Sequence, residues 1–110
     1  MLTLRDYAEL VTREVRRYLP NVRASRSSTS VTWRLGDFVA TLDASKPDWW
    51  HVIHTAGPQP VRTHDDRHDV ASAHVAASNI VVHFDPCYCR GIDAQPYSDA
   101  DMRRIRPMRP

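Results

Sequence analysis

The stretch VTWRLGDFVATLD, residues 31–43, decides the fold. A two-residue Gly36-Asp37 turn with a positive φ at glycine, type II′, folds it into a hairpin that pairs Leu35 with Phe38, Trp33 with Ala40 and Val31 with Leu42. All three pairs are apolar. The opposite face then carries Thr32 against Thr41 and Arg34 against Val39, so one face belongs to a core and the other is mixed.

Working outward, Trp49–Thr55 reads as a third antiparallel strand after the Ser45-Lys46-Pro47-Asp48 loop. WWHVIH does not alternate cleanly, which leaves its inward face and the burial of Trp49 and Trp50 open. Towards the N-terminus, Leu4, Tyr7, Ala8, Val11, Val15 and Tyr18 follow helical spacing, while Arg5, Glu9, Arg13, Arg16 and Arg17 fall elsewhere. This predicts an amphipathic helix over residues 3–19, capped by Thr3 with Asp6 in the first turn and stopped by Pro20.

Beyond Gly57-Pro58-Gln59-Pro60 a second helix is expected, with Thr63, Asp65 and Asp66 as cap and early acids and with Val70, Ala73 and Ala77 as a narrow inward stripe. Ile80–Phe84 can continue that helix, with apolar residues at 77, 80, 81 and 84, or form a short fourth strand; its β-branched run is read as the strand. Ser98-Asp99-Ala100-Asp101 opens a short C-terminal helix, followed by the arginine-rich tail MRRIRPMRP. The expected fold is α+β: helix, three-stranded antiparallel sheet, second helix, short fourth strand and short C-terminal helix, with residues 1–101 as one domain and 102–110 as a tail.

At 110 residues the chain suits a single core that buries roughly 65% of its unfolded surface. Its longest aliphatic run, Ile80–Val82, falls far short of the ~20 residues of a membrane span. Arg5 and Asp6 interrupt the N-terminus before a secretory h-region, and Cys87 and Cys89 are too close in sequence for a disulfide framework. A cytoplasmic protein is expected, or a virion component if it is a phage structural protein.

Charge is segregated. Residues 1–35 carry +4, residues 36–101 carry −6 and residues 102–110 carry +4. Two basic ends flanking an acidic middle suggest docking between complementary surfaces. Arg103, Arg104, Arg106 and Arg109 of the tail, and Asp65, Asp66 and Asp69 of the middle, are the candidate partner-binding residues.

HFDPCYCR, residues 83–90, raises the question of a metal. In an extended segment His83, Asp85, Cys87 and Cys89 share one side, and His64 and His68 would share a helical face at i and i+4. Structural zinc usually draws ligands from two paired clusters, whereas strand neighbours on one side stand about 7 Å apart, so these residues are read as a surface and packing set without a bound metal. No cofactor is expected. With only Gly36, Gly57 and Gly91 present, there is no nucleophile elbow, phosphate-binding loop or dinucleotide fingerprint. A histidine-dependent enzyme built on His51, His54 or His64 is an alternative, although a regular strand sends His51 and His54 to opposite faces.

Arg13, Arg16, Arg17, Arg23 and Arg26 support a second alternative, a nucleic-acid-binding regulator. The expected helix–three strands–helix order resembles that of double-stranded-RNA-binding domains, but where those have a lysine-rich second helix this chain has His64-Asp65-Asp66-Arg67-His68-Asp69. In element order, residues 3–84 also resemble phage tail-terminator proteins, small ring-forming subunits. That resemblance implies a non-enzymatic protein-interaction or assembly subunit that self-associates or binds a protein partner.

Overall fold

The computed structural model describes residues 1–54 and 59–84. Helix α1 spans Leu4–Arg16; strands β1 (Arg23–Arg26), β2 (Ser30–Leu35), β3 (Phe38–Asp43), β4 (Trp49–His54) and β5 (Val61–Asp65) follow, and helix α2 spans Val70–His83. The five strands form one antiparallel meander in chain order.

The central hairpin has the expected register, Leu35 opposite Phe38, Trp33 opposite Ala40 and Val31 opposite Leu42. Gly36 has a φ of 59° and Asp37 does not share the positive sign, as a type II′ turn requires. Trp49, His51 and Ile53 of β4 extend the inward face, and Trp50 and His54 point the other way. Tyr7, Ala8, Val11 and Val15 of α1 and Ala73, Ala76, Ala77, Ile80 and Val81 of α2 join them in one core, so both helices cover the same face of the sheet.

Several expectations are corrected. Among the described residues the sheet has five strands rather than three. β1, RASR, is exposed at all four positions, and β5, VRTHD, is largely polar; main-chain pairing to β2 and β4 places these strands, with little side-chain burial to announce them. Thr63, Asp65 and Asp66 therefore do not start a helix. α2 begins later, where the Asp69 carboxylate accepts from the Ser72 N–H at 2.8 Å and the Ser72 hydroxyl accepts from the Asp69 N–H at 2.9 Å. Finally, residues 80–83 are the last turn of α2, not a fourth strand. Ile80, Val81 and Phe84 all reach the core from the helix, and Phe84 stacks on Phe38 at 5.7 Å; packing outweighs the β propensity of the run.

α1 ends at Arg16, earlier than expected, although Leu19 N–H still donates to the Val15 carbonyl. With five strands between its helices, the chain no longer has the element order on which both resemblances rested. The expected C-terminal helix and the tail lie outside the described residues. No helix among the described residues is long and apolar enough to cross a membrane.

Candidate functional site

Among the described residues β1 is an edge strand with no neighbour on one side. Ser27 N–H donates to the Ser30 carbonyl, and the alternation of an antiparallel ladder from that bond turns the main-chain N–H and C=O of Ala24 and Arg26 away from β2. Their side chains face the helical layer, because their register partners are the core residues Trp33 and Val31. Across from them, Glu9, Arg13 and Arg17, and Thr12 and Arg16, line up at i, i+4 spacing on the flank of α1.

Between these elements runs an open groove of about 570 Å³, with Ala8, Ala24 and Val31 among its apolar lining and with Arg13, Arg16, Arg17 and Arg26 around it. Arg17 pairs with Glu14 at 3.2 Å and Arg16 Nε donates to the Val22 carbonyl at 3.2 Å. Neither Arg13 nor Arg26 makes an ion pair among the described residues. Four of the five N-terminal candidate arginines thus converge. Arg23 does not; it lies on the opposite face beside Arg34.

A second constellation sits where α1 crosses β4 and β5. The Tyr7 hydroxyl, fully buried, donates to Asp65 Oδ2 at 2.9 Å. Asp65 Oδ1 accepts from the backbone N–H groups of Arg67 and His68 at 2.9 and 3.1 Å. With its one hydrogen committed to a carboxylate, Tyr7 can only accept at its second contact, so His51 Nε2 carries a hydrogen and donates to it at 3.2 Å. Burial, then the hydrogen bond and the charge of Asp65, push the Tyr7 phenol well above its ordinary range. Burial opposes ionisation of Asp65, but interactions with Ser72, the Arg67 and His68 N–H groups and Tyr7 outweigh it and hold the carboxyl below its usual value. Burial also lowers His51 to about 4, against the opposing pull of the Asp65 charge, so His51 is neutral near pH 7.

His68 completes the arrangement. Its φ of 53° lies in the left-handed region, a strain of about 1 to 3 kcal/mol for a residue with a β-carbon. Trp49 stacks on its ring at 3.7 Å, Nε2 donates to the Asp65 carbonyl at 2.9 Å, and its own carbonyl accepts from Leu2 N–H at 2.7 Å. A pocket of about 210 Å³ opens beside this network, lined by His51, Asp65 and Ser72 with His64, Arg67 and Asn79. The network was not legible beforehand, because it joins residues far apart in the chain and the inward face of WWHVIH was undecided.

The acidic candidates divide. Asp66 is exposed, Asp65 is buried with both carboxylate oxygens engaged, and Asp69 caps α2. The candidate ligands do not gather either. His64 sits on β5 facing the open side of the sheet, tilted against Trp50 at 5.1 Å, whereas His68 is buried on the helical side and His83 ends α2. The helical face imagined for His64 and His68 does not exist. Cys87 and Cys89, and Arg103, Arg104, Arg106 and Arg109, lie outside the described residues. Among the described residues no three His, Cys, Asp or Glu side chains are grouped to hold a metal ion.

No protein-family model matches the chain, and comparison with curated proteins and with solved structures finds no match.

Proposed function

We propose that the protein is a non-enzymatic interaction subunit that captures an acidic, extended segment of a protein partner by strand addition along β1. The observation that carries this reading is the coincidence of the main chain of Ala24 and Arg26, unpaired among the described residues, with the groove lined by Arg13, Arg16, Arg17 and Arg26. Added strands draw affinity from main-chain bonds and specificity from alternate side chains, and arginine forks suit carboxylates. The buried network supports the same reading. Tyr7 and Asp65 satisfy one another, and a histidine lowered to about 4 is a poor general base near neutrality. Nucleic acid fits this groove less well, since Glu9 lies among the arginines and no aromatic ring lines it among the described residues.

A fluorescein-labelled peptide of alternating glutamate and valine, eight residues long, tests the proposal by anisotropy and by hydrogen exchange. Binding should weaken with salt and in the Arg13→Ala/Arg26→Ala variant, and should slow exchange at the Ala24 and Arg26 amides. Absence of binding, or binding without protection of β1, would overturn strand addition. Displacement of the peptide by duplex DNA would move the groove to the nucleic-acid reading, and binding of a second copy would identify the partner as the protein itself.

A further inference from the structure

The helices cover one face of the sheet and leave the other open among the described residues. On that face the register sets out three rows across the strands. Arg23, Arg34, Val39 and His54 form the first; Ser25, Thr32, Thr41, Val52 and Arg62 the second; Ser30, Asp43, Trp50 and His64 the third.

Two features of this surface suit a ligand. Arg23 stands directly opposite Arg34, and like charges in register destabilise a strand pair. Neither arginine, nor Arg62, makes an ion pair among the described residues. The third row carries Trp50, 44% exposed while Trp33 and Trp49 are buried, with the His64 ring beside it. By strand spacing and the offset of one row, Arg34 on β2 and Arg62 on β5 are about 16 Å apart. The face therefore offers cations at two places, Arg23 with Arg34 on β1 and β2 and Arg62 on β5, the latter diagonally next to the exposed Trp50 ring, and Asp43 is the one carboxylate among its strand positions.

We infer that this open face binds single-stranded nucleic acid, with phosphates towards Arg23, Arg34 and Arg62 and a base stacked on Trp50. An unpaired strand exposes both its phosphates and its base faces, whereas a duplex hides the base faces that Trp50 would stack on. Among the described residues no aromatic ring lines the arginine groove, which separates the two surfaces by the chemistry they recognise.

A twelve-residue oligothymidylate titrated at low salt is the probe, read by tryptophan emission. Binding should quench emission, because Trp50 is the exposed indole of the three, and affinity should fall steeply with salt. Trp50→Ala should weaken binding about 5- to 160-fold, the range of one lost stacking contact. Arg34→Ala should weaken it and reduce the salt slope by about 0.7. Both side chains are exposed, so the fold should survive their removal. The groove variant Arg13→Ala/Arg26→Ala should bind oligothymidylate as the parent does. No binding at low salt, full affinity in Trp50→Ala, equal affinity for a duplex of the same length, or loss of binding in the groove variant would each overturn the inference.

Discussion

Tyr7 and Asp65, 58 residues apart in the chain, are joined by a 2.9 Å hydrogen bond in which the buried hydroxyl donates to a carboxylate that also closes the loop before α2. One bond thereby ties α1 to the last strand and to the helix that follows it. Tyr7→Phe keeps the ring and its edge contact with Trp49 at 5.1 Å, but leaves Asp65 Oδ2 and His51 Nε2 without that partner. The expected cost is about 2 to 3 kcal/mol, measurable as a lower urea midpoint with an unchanged m-value.

Acid should destabilise the protein before ordinary carboxylates titrate. His51 falls from 6.5 to about 4 on folding, so between these values the unfolded chain binds the extra proton. Its contribution is complete above pH 6.5 and is lost as pH drops towards 4, to a total of about 3 kcal/mol. Asp65 and Asp69, both lowered, extend the loss further into acid. Melting curves from pH 7 to 4 should show the decline, and His51→Phe should flatten its upper part. A stability profile in the parent that is flat over this range would contradict a neutral, buried His51.

Trp33 is the largest fully buried side chain, and its indole N–H donates to Thr12 Oγ1 at 2.9 Å. Trp33→Ala should cost about 3 to 5 kcal/mol, a large share of a small domain's stability, whereas Arg34→Ala on the other face should stay within about 0.5 kcal/mol. Chemical denaturation of both variants compares the two faces directly; a greater loss from Arg34→Ala would mean an inverted register.

The end of α2 offers a test of helix against strand. A strand over residues 80–84 would alternate and send Val81 away from the core beside which Ile80 lies, but the helix buries both. Val81→Ala should therefore destabilise by roughly 2 kcal/mol, and Val82→Ala, at a half-buried position, by less than half as much. Equal unfolding midpoints for the two variants would count against the helix.

The elements that could be read from sequence were those whose own side chains carry the pattern. α1 declares itself through a buried stripe and a Thr3 cap, and the 31–43 hairpin through three apolar pairs around a glycine that supplies the positive φ; both signals are local. Segregation of arginine into the first 35 residues was also visible, but its consequence was not. Whether Arg13, Arg16, Arg17 and Arg26 meet depends on a strand, β1, that buries nothing and exists because β2 offers its main chain as a template. β5 is decided in the same way by β4, and its polar side chains looked like the start of a helix. Residues 80–83 show the converse, a run with strand propensity held helical by the core on which Ile80 and Val81 pack. Main-chain pairing and core packing act between segments distant in the chain, and so they alone settled which edge is free and which face is open among the described residues, and how Tyr7, His51 and Asp65 come together.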